Sequence, residues 1–256
     1  MKLKARLLVL LLIVIGFAAF RVAQKPTLFI IGDSTVKNNL PLVGWGNVIG
    51  DLFDTTQIKI DNHAMAGRSS RTFTNEGRWQ KVDTLIKPGD FVMITFGHND
   101  GSYPDTTKKN RGTLKGTGDE TIELVWSDGR KETVHTYGWY IRKFVKDAKR
   151  KGGIPIIVSM TLRNQWDSIS MKVKRADTNM VKWAKEVAEQ EGVDFIDLNT
   201  IAADKYDLMG PAKVKEFYPG DHTHTNLKGA SFNAATIIEG LSQLKSCTLN
   251  NFLLKK

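Results

Sequence analysis

The chain is poor in cysteine and carries only Cys247, near the C-terminus. A single thiol excludes a disulfide framework within the chain. Because Cys247 lies far from every motif described below, we interpret it as a small apolar residue in or near the last helix. The sequence also contains no internal repeat and no low-complexity segment, so a repeat architecture is not indicated.

Long apolar runs are scarce in the sequence, and a long uncharged one lies at the N-terminus. Three cations within the first six residues precede fourteen uncharged residues, Leu7 to Phe20. This run is short for a membrane-spanning helix, whereas a positive segment followed by such a run is typical of a secretory signal. We expect residues 1–24 to be a signal peptide or an N-terminal anchor, and the protein to be secreted or periplasmic. The absence of cysteine here excludes a bacterial lipoprotein.

Charge of one sign is not concentrated anywhere in the chain. The 37 Lys and Arg residues against 27 Asp and Glu give a net charge of +10. Four of the cations belong to the leader, and the remaining 33 against 27 leave +6, spread along the sequence. Nucleic-acid binding would favour a concentrated basic stripe, so we expect no nucleic-acid partner. A mildly basic surface can nevertheless attract an acidic substrate.

The body of the chain alternates short apolar runs with amphipathic stretches. The apolar runs predict five strands, at residues 28–31, 57–60, 91–96, 154–160 and 193–198. The amphipathic stretches predict five helices, at residues 45–53, 79–86, 137–151, 175–191 and 227–244. Strands that alternate with helices pair in parallel through right-handed crossovers. We therefore expect an α/β fold, a three-layer α/β/α sandwich with a five-stranded parallel sheet, in a single domain at 25–256.

One stretch, at about 103–136, breaks this alternation and reads as an insertion. It is rich in Thr, Lys, Asp and Gly, and a loop of this length in a compact domain is usually functional or disordered. Two alternating runs, at 121–126 and 131–134, flank Asp128-Gly129, which predicts a small β-hairpin. Because the insertion follows the third strand, we expect it to overhang whatever site lies at that strand's carboxyl end.

The first strand ends abruptly at Gly32-Asp33-Ser34. In open α/β sheets, ligands bind outside the carboxyl ends of the strands, so Ser34 lies where a nucleophile is useful. A serine hydroxyl must be activated by a base. The Gly-x-Ser-x-Gly elbow of the α/β-hydrolases is absent, so that family is a poor match. Three later stretches carry further candidate groups: Ala66-Gly67-Arg68-Ser69, Gly97-His98-Asn99-Asp100 and Asp221-His222-Thr223-His224.

Taken in order with Gly32-Asp33-Ser34, these stretches resemble the four blocks of the SGNH (GDSL-like) hydrolases. The sequence around each block is most similar to that of the rhamnogalacturonan acetylesterases. The resemblance runs from Leu28 to about Ile238, and it implies a flavodoxin-like sandwich. It also implies a catalytic triad and an oxyanion hole, with no cofactor and no metal.

The resemblance assigns these roles residue by residue. Ser34 is the nucleophile, His224 the base and Asp221 its partner, three residues away on the same loop. The backbone N–H groups of Ser34 and Gly67 and the side-chain amide of Asn99 form the oxyanion hole. Glycine lets the backbone approach a substrate closely, and an amide NH₂ is a donor that does not titrate.

Other polar residues near the blocks have roles that the sequence leaves open. Arg68 and Arg71 either bind an acidic sugar or are solvated. His222 either touches the substrate or binds a metal ion together with His224. Three neighbours are expected to fix the loops by local hydrogen bonds: Asp33, His98 and Asp100.

The activity implied by the resemblance is that of a secreted serine esterase. We expect it to remove O-acetyl groups from plant cell-wall polysaccharide or oligosaccharide, with acetylated rhamnogalacturonan of pectin as the substrate. The alternatives are a lysophospholipase or thioesterase of the same superfamily, an acetylesterase acting on another polysaccharide such as xylan, or an inactive carbohydrate-binding module. The intact Ser34, Asn99 and His224 argue against the last. We expect a monomer, without membrane contact beyond the possible N-terminal anchor.

Overall fold

The computed structural model describes residues 25–106, 110–176 and 179–254. The predicted leader, residues 1–24, lies outside the described residues. Within these ranges the strands are, in chain order, β1 (Thr27–Gly32), β2 (Lys59–Asn62), β3 (Phe91–Thr95), β4 (Thr121–Val125), β5 (Lys131–His135), β6 (Ile154–Val158) and β7 (Asp194–Ile196). Five of them form a parallel sheet in the order β2-β1-β3-β6-β7, and β4 pairs with β5 in a separate antiparallel hairpin.

Helices cover both faces of this sheet, and the burial of its central strands reflects that. All five residues of β3 are buried, as expected of a parallel strand between two helical layers. Along β1, Leu28 and Ile30 pack into one apolar cluster, while Phe29 and Ile31 pack into the other. The predicted three-layer α/β/α fold with a five-stranded parallel sheet is therefore confirmed.

The helices form these two outer layers. In chain order they are α1 (Ser70–Asn75), α2 (Arg78–Leu85), α3 (Tyr137–Arg150), α4 (Met180–Glu191), α5 (Leu198–Met209), α6 (Pro211–Lys215) and α7 (Leu227–Gln243). Three short 3₁₀ helices accompany them, at Trp45–Asn47, Ile49–Leu52 and Thr248–Phe252. Among the described residues, none of the helices combines the length and the apolar character that crossing a membrane requires.

Three of the sequence predictions are corrected by the structure. Residues 45–53, predicted as one α-helix, form two short 3₁₀ helices, and Gly46 and Gly50 weaken helix propensity there. The helix predicted from Arg175 begins only at Met180. The stretch between the fifth predicted strand and the last predicted helix, for which the sequence predicts no helix, contains α5 and α6.

Local capping explains two helices that the apolar pattern did not reveal. Helix α5 starts after Asp197, whose side chain accepts a hydrogen bond from the backbone N–H of Thr200. Helix α1 starts after Ser69, whose side chain accepts one from the N–H of Thr72. Both caps lie inside stretches that we had assigned to a strand or to a motif, and the helices that follow them were therefore missed.

The insertion contains the predicted hairpin, with Asp128-Gly129 at its turn. Its strand β5 leads directly into α3, whose first turn is capped by Thr136. The hairpin is not part of the central sheet. A backbone hydrogen bond from the Leu114 N–H to the His135 carbonyl, at 3.0 Å, ties its second strand to the chain that precedes it, and side-chain contacts are described with the site below.

Candidate active site

Ser34 lies in a tight turn at the carboxyl end of β1. The Asp33 carboxylate accepts hydrogen bonds from the backbone N–H and the hydroxyl of Thr35, both at 2.8 Å. The backbone carbonyl of Asp33 also accepts from the N–H groups of Val36 and Lys37. These bonds fix the turn, and Asp33 thus has the local supporting role expected of it. Ser34 is 8% exposed, so the residue is largely buried but reaches the surface.

His224 joins Ser34 to Asp221. The distance from Ser34 Oγ to His224 Nε2 is 2.9 Å, and that from His224 Nδ1 to Asp221 Oδ2 is 2.6 Å. Asp221 Oδ1 accepts two backbone N–H groups as well, from Thr223 and His224, at 2.6 and 2.7 Å. The structure therefore places the three residues of the predicted triad in one hydrogen-bonded chain.

The ionisation of Asp221 determines which atoms donate and which accept in this hydrogen-bonded chain. Partial burial raises the pKa of Asp221, but hydrogen bonds from the His224 ring and from the two backbone N–H groups outweigh it and lower the pKa to about 2. The carboxylate is therefore ionised at neutral pH and can only accept hydrogen bonds. Nδ1 of a neutral His224 must then carry the ring proton, which leaves Nε2 free to accept from the Ser34 hydroxyl.

The loops that carry Gly67 and Asn99 lie beside this chain. The N–H of Met65 donates to the carbonyl of Gly32 at 3.0 Å, which holds the loop after β2 against the end of β1. Asn99 Nδ2 donates to the carbonyl of Arg68 at 3.0 Å, which links the loop after β3 to the loop after β2. Gly67 has φ +79°, a left-handed conformation that favours glycine.

His98 is partly buried and Asp100 is buried, and their side chains form hydrogen bonds with residues distant in the sequence, Thr161 and Ser70, rather than local ones as predicted. His98 Nε2 lies 2.9 Å from Thr161 Oγ1, and burial lowers the pKa of His98 to about 4, so this ring is neutral at pH 7. Asp100 Oδ1 accepts from the backbone N–H and the hydroxyl of Ser70, whereas Oδ2 is buried and has no hydrogen-bond partner among the described residues. Burial raises the pKa of Asp100 to about 7.

Arg71 contradicts both alternatives that the sequence left open for it, because it is neither solvated nor available to a sugar. Its guanidinium is fully buried and donates through Nε and Nη2 to the two carboxylate oxygens of Glu132, at 2.7 and 2.8 Å. Nη1 donates to the carbonyl of Gly112 at 3.0 Å. Arg71 thus ties α1 to strand β5 and to the chain that precedes the hairpin.

The other two candidate substrate-binding residues lie at the surface. Arg68 is partly exposed, and its Nε pairs with the carboxylate of Glu76 at 3.0 Å. His222 is exposed, and its backbone carbonyl accepts from the N–H of Asn164 at 2.7 Å. Within the described ranges, no group of three or more His, Cys, Asp or Glu side chains is arranged to hold a metal ion.

Sequence reasoning missed one residue that touches the predicted oxyanion hole. Arg111, from the insertion, donates through Nη1 to Asn99 Oδ1 at 2.7 Å. The insertion therefore does reach the carboxyl end of β3, as predicted. No sequence signal marks Arg111, because it belongs to no motif and lies in a polar stretch rich in other cations.

Sequence reasoning also missed a cavity of about 550 Å³ next to this site. Its walls come from the carboxyl ends of β3 and β6, with His98 among them. Four cations line it: Lys115, Arg163, Lys174 and Arg175. Arg175 is paired with Asp204 and Asp207, and no carboxylate is found among the described residues of the lining. The described part of the lining is therefore positively charged.

Comparisons with known proteins identify the family of the chain. The family model described as the GDSL-like Lipase/Acylhydrolase family matches residues 30–231. The chain is 36% identical over 219 residues to a rhamnogalacturonan acetylesterase of Emericella nidulans, and the match covers 86% of each chain. It is 29% identical over 240 residues to the rhamnogalacturonan acetylesterase RhgT of Bacillus subtilis, covering 86% of this chain and 92% of the relative.

Solved structures support the fold alone. The protein YxiM of Bacillus subtilis superposes with a TM-score of 0.70 at 23% identity; the match covers 88% of this chain and 58% of that one. The acetylxylan esterase Axe2 of Geobacillus stearothermophilus gives a TM-score of 0.55 at 16% identity, covering 87% and 96%. Because the family model matches most of the sequence, the chain belongs to the GDSL-like lipase/acylhydrolase family, which its four blocks resemble.

Proposed function

We propose that this ester hydrolase removes O-acetyl groups from an acidic plant cell-wall polysaccharide, with acetylated rhamnogalacturonan as its substrate. The observation that carries the proposal is the hydrogen-bonded chain from Ser34 through His224 to Asp221, at 2.9 and 2.6 Å. Two relatives that cover most of the chain are named rhamnogalacturonan acetylesterases, which supports the choice of substrate.

The first half of the reaction transfers the acetyl group to the enzyme. Ser34 Oγ attacks the acetyl carbonyl carbon while His224 Nε2 takes the hydroxyl proton. The ionised Asp221 stabilises the imidazolium that forms. Three donors stabilise the developing oxyanion: the backbone N–H groups of Ser34 and Gly67 and the side-chain amide of Asn99. Such stabilisation is usually the largest electrostatic contribution to acyl transfer.

The second half returns the enzyme to its starting state. The tetrahedral intermediate collapses as His224 gives its proton to the departing sugar oxygen, which breaks the ester bond and leaves an acetyl group on Ser34. Water then attacks this acetyl-enzyme while His224 takes its proton. Collapse of the second intermediate releases acetate and restores the Ser34 hydroxyl. Every proton is moved by His224, so these steps call on no cofactor.

The charge around the site supports an acidic polymer rather than a lipid. The cavity beside His98 presents Lys115, Arg163 and Lys174, and no described carboxylate lines it. A cationic cavity next to the catalytic loops attracts a uronate-containing chain and raises its local concentration. The lysophospholipase and thioesterase alternatives would expect a more apolar approach to Ser34.

The sequence of the leader supports secretion as a further part of the proposal. Three cations followed by the uncharged run Leu7 to Phe20 fit an export signal. The test is to express the full chain in a bacterial host, separate the cellular fractions and sequence the N-terminus of the exported protein. Export with cleavage close to residue 24 is expected, whereas full-length enzyme confined to the cytoplasm would contradict secretion.

Acetate release measured on a panel of matched substrates tests the substrate. We expect faster release from acetylated rhamnogalacturonan than from acetylated xylan at equal acetyl content, and slower release from long-chain acyl esters than from either polysaccharide. Ser34→Ala serves as the blank for spontaneous hydrolysis. Faster release from xylan would move the assignment to another polysaccharide, and a preference for long acyl chains would favour the lipid-directed alternative.

A further inference from the structure

The insertion places a guanidinium on the amide that is expected to stabilise the oxyanion. Arg111 Nη1 donates to Asn99 Oδ1 at 2.7 Å, and Asn99 Nδ2 donates to the carbonyl of Arg68 at 3.0 Å. A guanidinium can only donate and a carbonyl can only accept. The two partners therefore fix the orientation of the Asn99 amide, with Oδ1 toward Arg111 and Nδ2 toward the Arg68 carbonyl. They leave the second N–H of Nδ2 for a substrate.

The backbone around Arg111 is held from two sides. The carbonyl of Gly112 accepts from Arg71 Nη1 at 3.0 Å, and the N–H of Thr113 donates to the carbonyl of Asp100 at 3.1 Å. The Thr113 hydroxyl donates to the same Asp100 carbonyl at 3.2 Å. A Cβ at Gly112 would lie 2.3 Å from the carbonyl oxygen of Ser102, so the chain passes there without room for a side chain. The segment that presents Arg111 is thus fixed between α1 and the Asn99 loop.

Among the described residues, the Arg111 guanidinium contacts Asn99 Oδ1 through its hydrogen bond, and Arg111 belongs to none of the salt bridges found there. Its Nη2 lies 3.3 Å from the position that a Cβ would take on Gly67. One guanidinium is therefore beside both Gly67 and Asn99, the two oxyanion donors that come from outside the Ser34 turn.

We propose that Arg111 is a positioning residue for the hydrolysis, which holds the Asn99 amide with its N–H toward the oxyanion. The inference rests on the proposed function of Asn99. Without Arg111 the amide can rotate by half a turn, which places Oδ1 where negative charge develops. An oxygen there repels the oxyanion, while the bound substrate, which carries less charge on its carbonyl, is affected less. Arg111 thus acts on kcat rather than on KM.

The experiment is a double-mutant cycle on 4-nitrophenyl acetate, with kcat and KM measured for Arg111→Ala, Asn99→Ala and the double variant. Arg111→Ala is expected to lower kcat by about 10- to 100-fold with little change in KM, the cost of a misplaced catalytic group. In the Asn99→Ala background, the same change is expected to lower kcat by less than about twofold, because the amide that Arg111 orients is gone. Arg111→Lys, which still donates to Oδ1, should retain more activity than Arg111→Ala.

The control is Arg130→Ala, which removes an exposed guanidinium from the same insertion, where it lies over the Trp126 ring. It is expected to leave kcat close to the wild-type value. Thermal unfolding of each variant shows whether it is folded. If the fold-losses in kcat of the two single variants multiply in the double variant, the two residues act independently, and the role of Arg111 is overturned. An effect of Arg111→Ala confined to KM would overturn it as well. Both outcomes leave the role of Asn99 intact. An unchanged kcat in Asn99→Ala would overturn the oxyanion hole itself and the inference with it.

Discussion

Arg71 and Glu132 form a bidentate ion pair at 2.7 and 2.8 Å, in which the Arg71 side chain is fully buried and the Glu132 side chain is 9% exposed. The pair joins α1, which follows the Gly67 loop, to strand β5 of the hairpin. Burial raises the pKa of the Glu132 carboxyl, but the hydrogen bonds and charge of Arg71 outweigh it and hold the pKa below its ordinary value. Glu132 is therefore ionised at neutral pH.

Glu132→Ala should destabilise the protein, because it leaves the Arg71 guanidinium buried without its counter-charge. Removing one partner of a buried pair costs about 3–5 kcal/mol. Urea unfolding at pH 7 measures the change. Glu123→Ala, an exposed carboxylate on strand β4 of the same hairpin, is the matched control and should change the free energy of unfolding by less than about 1 kcal/mol. Equal effects of the two variants would show that the pair does not hold the insertion.

Asp100 should make stability depend on pH in a direction opposite to that of an ion-paired carboxylate. Its pKa in the folded protein is about 7, raised by burial from the ordinary 3.8. Between these values the folded protein keeps a proton on Asp100 that the unfolded chain releases, so the contribution of Asp100 to the free energy of unfolding falls as pH rises from about 4 to about 7. Asp100→Asn cannot titrate and should show a smaller fall over this range.

Urea unfolding of the wild type and of Asp100→Asn across this range measures the difference in slope. Asp128→Asn, an exposed carboxylate in the hairpin turn, serves as the control and should follow the wild type. Parallel curves for the wild type and Asp100→Asn would mean that Asp100 does not titrate in this window.

Lys115 and Lys174 should matter more for a charged polymer than for a small ester. Replacing both by alanine removes two cations from the cavity beside His98. Acetate release from acetylated rhamnogalacturonan should be slower in the double variant than in the wild type. Its rate should also depend less on salt, because the attraction that salt screens beyond about 10 Å at 0.1 M ionic strength is weaker without the two cations. The rate on 4-nitrophenyl acetate should fall less. A uniform loss on both substrates, or an unchanged salt dependence, would contradict the role of the cavity.

His222 tests the choice of base, because it lies two residues from His224. The Nε2 atom of His224 is hydrogen-bonded to Ser34, whereas His222 is exposed. His224→Ala should therefore lower kcat far more than His222→Ala, measured on 4-nitrophenyl acetate. EDTA should leave the rate unchanged. Equal losses in the two variants would contradict the choice of His224 as the base. Inactivation by EDTA with recovery on adding zinc would revive the metal site that the sequence left open for His222.

The grouping of Ser34, Gly67 and Asn99 was implied by the resemblance to the SGNH hydrolases, and the topology gives it a geometric reason. Each follows a strand of a parallel sheet, and the carboxyl ends of such strands meet at one edge. The partnership of Asp221 and His224 was likewise implied by the resemblance, and a three-residue spacing on one loop lets the carboxylate reach the ring. These residues are determined by local sequence and topology.

The environments of Arg71 and Arg111 could not be predicted in this way. Glu132, the partner of Arg71, is distant from it along the chain. Arg111, the partner of Asn99, lies in an insertion that contains no motif. Whether an arginine is solvated or buried depends on a tertiary contact, and a lone Arg in a polar stretch does not reveal one. Helix α5 was missed for a related reason: its start overlaps the apolar run that predicts the fifth strand.

Acetate release by Ser34→Ala tests the central claim most directly. The hydroxyl of Ser34 is hydrogen-bonded to His224, and its removal takes away one small group, so the fold should be kept and thermal unfolding should show it. The account predicts that kcat on acetylated rhamnogalacturonan falls by at least about 10⁴-fold, as for loss of a serine nucleophile elsewhere. A folded Ser34→Ala variant that releases acetate at a rate near that of the wild type would contradict it.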